Sequence, residues 1–222
     1  MIGVDPADDQ SFELRSKESK PSRKRIILCV NRSLGEMELL QTKLRSFLAQ
    51  LKLNGFEIIF IDLPEVSFDY KTISSTDIRA DITKFLHRYG SDNEPRSFEG
   101  LVECYRERPH AHLYGMERLE DALAMPQIEK SELKKLVQEN VVKARNLINS
   151  ILDRYDADFV GFLNFVDWFS IGGGPSSTLP VSFETKPPIS IMLGSRVGND
   201  LALLDIVQEF SEVAKAAQHT DN

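Results

Sequence analysis

Residues able to do chemistry are sparse in this chain. The most conspicuous run is Gly172-Gly173-Gly174, followed by Pro175, Ser176 and Ser177. Glycines let a backbone approach a phosphate closely or turn sharply. A phosphate loop also needs a Lys-Ser/Thr pair and a helix starting there. Neither follows, because Pro175 and Pro180 bracket an extended stretch. A serine nucleophile needs a base within hydrogen-bond reach, and Ser176 and Ser177 sit in no G-x-S-x-G elbow. They read as turn residues. Asp167 and Trp168, with Gly173 and Gly174, are the candidates for lining a substrate pocket. A buried Trp168 that anchors the glycine loop accounts for the same residues equally well.

Two other clusters are weaker. His110 and His112 stand two apart in a polar segment, but spacing supplies no further ligands for a metal. Glu117, Glu120 and Asp121 recur at helical spacing and read as a solvated acidic face. Two cysteines, Cys29 and Cys104, are too few for a disulfide framework or a Cys-based zinc site. Cys29 lies in the apolar run Ile26–Val30 and reads as a small buried hydrophobe. The residues themselves thus assign no catalytic, cofactor-binding or metal-binding role.

Composition narrows the class further. Lys and Arg total 27 against 34 Asp and Glu, a formal charge of −7. A nucleic-acid binder shows the opposite surplus, and no apolar run approaches a membrane span. The acidic start, Met1 to Gln10, lacks the basic and apolar stretches of a secretory signal. These features together give the expectation of a cytoplasmic protein with neither nucleic acid nor membrane as partner.

The elements follow from periodicity. Residues 1–24 read as a flexible leader, acidic first and then basic, with Arg23-Lys24-Arg25 as a solvated edge. Ile26–Val30 and Phe56–Ile61 are continuous apolar runs, as in strands covered on both faces. Between them Met37, Leu40, Leu44, Phe47, Leu48 and Leu51 predict one amphipathic helix, closed at Asn54-Gly55. That is a βαβ unit with a parallel strand pair. Thr76 is the expected N-cap of a helix over 77–89, ended by Gly90. Further helices are predicted over 98–105, 116–125 and 129–155. Strands are predicted over 158–163, 181–183 and 189–193, with 164–170 irregular, and a last helix over 200–217. The fold class is α/β, a mixed sheet flanked by helices.

In this order the segments resemble the C-terminal half of the amidase signature family. Gly3-Val4-Asp5-Pro6-Ala7-Asp8 is similar to the stretch that follows the family's catalytic core. Arg25–Val30, Phe56–Pro64 and Thr76–Leu86 resemble the elements that open its second half. Phe98–Val102, Tyr114–Leu119 and Asp156–Val160 resemble later ones, as do Gly173–Pro180, Pro187–Gly194 and the final helix. Leu163-Asn164 replaces a usual Pro-Thr, and Pro188-Ile189 stands where the family has glycine. Both departures fall near the family's substrate cavity.

The resemblance implies amide C–N hydrolysis by a Ser-cisSer-Lys triad, with no cofactor. The triad precedes the segment that Gly3 begins. Residues 25–222 therefore read as a partial domain with no catalytic residue of its own, inactive alone, and Ser176 and Ser177 match a later loop. A small amide would be a substrate only if the N-terminal half were supplied. The alternative is a stand-alone remnant that acts as an interaction module or complements a separate N-terminal chain. An unrelated α/β enzyme is a third reading. Half a continuous sheet is expected to expose strand edges and an apolar face, and so to call for a complementing chain or an oligomer.

Overall fold

The computed structural model describes residues 24–42, 44–91, 94–108, 110, 115–126, 128–182 and 188–220, the side chains of 217–220 excepted. Residues 1–23 of the leader, with the Gly3–Asp8 motif, and His112 lie outside them. The chain divides into two compact units, one formed by Met1–Val66 with Val141–Asn222, the other by Ser67–Asn140.

Among the described residues, the first unit holds a five-stranded sheet of order β2-β1-β3-β5-β4. Its strands are β1 (Arg25–Val30), β2 (Glu57–Asp62), β3 (Phe159–Phe162), β4 (Ser176–Ser182) and β5 (Ile189–Gly194). β1 runs parallel to β2 and β3, while β5 is antiparallel to β3 and β4. The expected mixed α/β sheet is therefore present, with the apolar run Ile26–Val30 at its heart. Residues alternate between faces along each strand. Ile26, Leu28, Phe159 and Leu193 join one core with Phe47 and Leu51 of α2 (Arg45–Leu53) and Ile206 and Phe210 of α8 (Asp200–Thr220). Ile27, Cys29, Val160 and Phe162 on the other face are equally buried. There Trp168 and Phe169 of α7 (Trp168–Gly172) meet Phe162 edge-on, at 5.0 and 5.9 Å.

Several expectations need correction. No bare apolar face is left on β1 or β3, because the chain's own side chains cover both sides. β2 is an edge strand and is only half covered, with Phe60 37% exposed. The single helix expected over 37–51 is two, α1 (Glu36–Thr42) and α2. Leu44 sits at the break and stays buried, so the apolar stripe survives it. The stretch 164–170 is not wholly irregular, because α7 starts within it and buries two aromatic rings. β4 starts at Ser176, earlier than expected, and carries a register shift between Pro180 and Ser182. A proline without an N–H suits such an edge. Among the described residues, no helix is long and apolar enough to cross a membrane.

Arg25 is more than a solvated edge. Its guanidinium donates to Glu57 at 2.8 Å, to the Tyr155 carbonyl at 2.9 Å and to the Asp156 carbonyl at 3.3 Å. It thereby fixes the turn into β3, where Asp156 takes a left-handed φ of 49°. Arg25→Met is expected to cost about 1–2 kcal/mol, since charge-assisted bonds to backbone are lost. Urea unfolding of the two proteins checks this, and an unchanged midpoint would refute it.

The second unit is helical: α3 (Tyr70–Tyr89), α4 (Phe98–Arg106), α5 (Glu117–Ala124) and the start of α6 (Lys130–Arg154). Phe98, Val102 and Ala122 form its core, with Ile78, Ile82 and Leu119 against it. α3 begins at Tyr70, so Thr76 is not its cap but lies inside it, bonding back to the Thr72 carbonyl at 2.9 Å. Gly90 does end α3, in an extended rather than a left-handed conformation. Two of the three acidic residues of α5 are paired. Asp121 meets Lys71 at 2.8 Å and Glu120 meets Arg106 at 3.6 Å, tying α5 to α3 and α4.

Candidate functional site

The glycine loop bounds a cavity of about 240 Å³ in the first unit, lined by Arg145, Ile148, Asn149, Gly172, Gly174, Ser195, Arg196 and Val197. α6 supplies Arg145 and Asn149, and the end of β5 leads into Ser195 and Arg196. Arg145 Nε donates to the Gly172 carbonyl at 2.7 Å. Gly173 has a φ of 71° and ends α7, and a Cβ there would stand 3.4 Å from Arg145 Nη2. A Cβ on Gly174 would meet the Ser195 carbonyl at 2.7 Å. Glycine is thus required at Gly173 by its left-handed backbone and at Gly174 by the close approach of the β5 end. Ser195 is fully buried. Its hydroxyl donates to the Asp158 carbonyl at 2.6 Å and accepts from Asn199.

Of the four pocket candidates, Gly174 lines this cavity and Gly173 stands beside it against Arg145. Asp167 precedes α7, its carbonyl accepting from Ile171 N and Ser170 Oγ. Trp168 is packed into the core, 5% exposed. Ser176 and Ser177 open the edge strand β4, opposite Gly194 and Leu193. Among the described residues neither hydroxyl meets a base. His110 is exposed, and no group of metal-holding side chains occurs among the described residues. Arg145, Asn149 and Arg196 were missed by sequence reasoning, because their positions are far apart in the chain and each reads as a surface polar residue.

At the ends of β1 and β3, Glu36 is a buried carboxylate. It accepts from Asn31 N at 2.6 Å and from Asn164 Nδ2, joining the turn after β1 to the segment after β3. Asn164 occupies one of the two positions where the sequence departs from the amidase pattern, and here it has a structural partner.

The second unit has its own groove of about 330 Å³. Ala122, Met125, Pro126, Ile128 and Leu133 give it an apolar lining, and Asp77 and Asp81 stand on α3 beside them. Burial pushes the Asp77 carboxyl above its ordinary value, the Asp81 charge adds to this and Lys84 opposes it. A raised carboxyl favours the fold fully only below the ordinary aspartate range, and that contribution is lost as pH rises through the shifted value. Asp77→Asn is therefore expected to be more stable than the parent at pH 7 and to lose that advantage below about pH 4. Melts at both pH values test the sign.

Cys29 is buried, and desolvation pushes its thiol up to about 12. A thiol so shifted is not a nucleophile near neutral pH. Cys104 is only half-buried. Alkylation of the native protein at pH 8, read by peptide mass, is expected to modify Cys104 and to spare Cys29 until denaturant is added. Equal labelling of both would contradict it.

Solved structures define the class of fold. The chain matches an amidase family protein from Bacillus anthracis str. Ames at a TM-score of 0.72 and 16% identity, covering 97% of this chain and 45% of that one. It matches a peptide amidase from Stenotrophomonas maltophilia at 0.69 and 14%, covering 96% and 49%. A bacterial aryl acylamidase of the Amidase signature enzymes matches at 0.57 and 16%, covering 96% and 51%. At such identities the likeness is one of fold. The chain has the fold of part of an amidase signature enzyme and spans about half the length of the structures it matches. The resemblance carried by the motifs is borne out at that level. No family model matches the sequence, and no curated protein does.

Proposed function

We propose that this chain is a portion of an amidase-signature hydrolase, related to enzymes that cleave amide C–N bonds, and that it hydrolyses no amide by itself. The carrying observation is the coverage: nearly all of this chain corresponds to about half of each amidase structure. The absence of a base beside Ser176 or Ser177 among the described residues supports inactivity. A nucleophile without an activating partner does not turn over an amide at useful rates. The purified chain is expected to release no ammonia from simple aliphatic and aryl amides. Time-dependent release in proportion to protein would overturn the proposal.

A second reading, a stand-alone non-catalytic module, is favoured by one observation. Strands β1 and β3 are covered on both faces by this chain alone. The native mass in the source cells, detected through an antibody to α8, separates the two. A species much heavier than 222 residues supports a longer amidase, and a species of this length supports the module.

A further inference from the structure

We propose that the cavity behind the glycine loop binds a small oxyanion, a carboxylate or a phosphate, with the guanidinium of Arg145 as its principal ligand. The inference does not rest on the amidase reading. Arg145 is exposed to solvent, and its Nε is engaged by the Gly172 carbonyl at 2.7 Å. That bond sets the plane of the guanidinium and leaves both terminal nitrogens without a bond among the described residues. No carboxylate among them lies within ion-pair distance of it.

The second cation of the cavity, Arg196, is already neutralised. Its Nη2 donates to Asp153 at 2.7 Å and its Nη1 to Asn149 Oδ1 at 3.3 Å. The latter bond takes the amide oxygen of Asn149 and leaves its NH2 group as a donor. No Asp or Glu is among the residues lining the cavity. Two guanidinium groups and one nearby carboxylate leave it with one uncompensated positive charge. A planar guanidinium with two free nitrogens matches the paired oxygens of a carboxylate or phosphate.

The glycines complete the arrangement. Gly173 holds a left-handed φ of 71° that a side chain would strain, and a side chain at Gly174 would press on the Ser195 carbonyl. With hydrogens there instead, the cavity keeps about 240 Å³. That is many times the roughly 15 Å³ that one water needs, enough for a small anion and a few attached atoms.

The test uses the whole chain at low ionic strength, titrated calorimetrically with inorganic phosphate and separately with acetate. Chloride at matched ionic strength is the control. The expected result is saturable binding of at least one probe, weakened about tenfold to a hundredfold in Arg145→Ala. Arg106→Ala, a substitution in the other unit, is expected to bind as the parent does. The tighter probe identifies the anion class. A melting curve without probe checks that each variant folds. If Arg145→Ala does not, Asn149→Ala and Arg145→Lys carry the same comparison, each with an expected loss of several-fold. No saturable binding of either probe, or equal affinity in the folded variants, overturns the proposal.

Discussion

Phe210→Ala is expected to destabilise the protein by about 3–5 kcal/mol, the range for removing a fully buried ring. Phe210 is 2% exposed on α8. Its ring meets Phe47 of α2 edge-on at 5.0 Å and Phe56, just before β2, at 5.8 Å. Three segments distant in sequence therefore converge on one side chain. Truncation loses the transfer energy of the ring, both edge-to-face contacts and the packing of whatever cannot collapse into the gap. The fully buried neighbours Ile206 and Leu51 limit that collapse. Urea unfolding followed by circular dichroism measures the loss. Phe210→Leu is expected to recover about half of it, and an alanine variant within 1 kcal/mol of the parent, on the order of a surface change, would rule out this account of the core.

Gly194→Ala is expected to cost about 3 kcal/mol, at the upper end for overpacking. Gly194 ends β5, paired with Val160 and with Ser176. A Cβ there would clash with the far end of the Phe169 ring. Phe169 is fully buried and set edge-on against Phe162, so it has little room in which to yield. Space can be restored from the other side. Phe169→Leu in the same chain is expected to relieve part of the penalty, so that the double variant loses less than the sum of the singles. Strict additivity would show that the ring is not what excludes the methyl group.

Other elements show how much was legible in the sequence. The central strand β1 was readable because five consecutive apolar residues have no amphipathic alternative. The apolar run of β2 looked the same but forms an edge, and the only hint was the acidic residue at each end, Glu57 and Asp62. The start of α3 was misplaced for a long-range reason. Asp69 N donates to Asn140 Oδ1 at 2.9 Å, and Asn140 Nδ2 returns a bond to Asp69. A contact 71 residues away thus sets the helix start, and the local capping preference of Thr76 is overridden. The glycine loop announced itself as a place of close approach. Its partner Arg145 did not, because one polar residue on a long amphipathic helix carries no mark of the loop it will meet.

The two borders of the sheet have unequal consequences for the protein's behaviour when crowded. β4 is interrupted by Pro180 and a register shift, and so makes a poor template for another strand. β2 pairs with β1 without a shift along Glu57–Asp62 and, among the described residues, has no strand on its outer side. Its bracketing carboxylates are each tied to an arginine, Glu57 to Arg25 and Asp62 to Arg32. Repulsion that would keep copies apart is therefore largely cancelled at that border. Self-association at high concentration should begin there, and a lysine in place of half-exposed Phe60 is the natural gatekeeper against it.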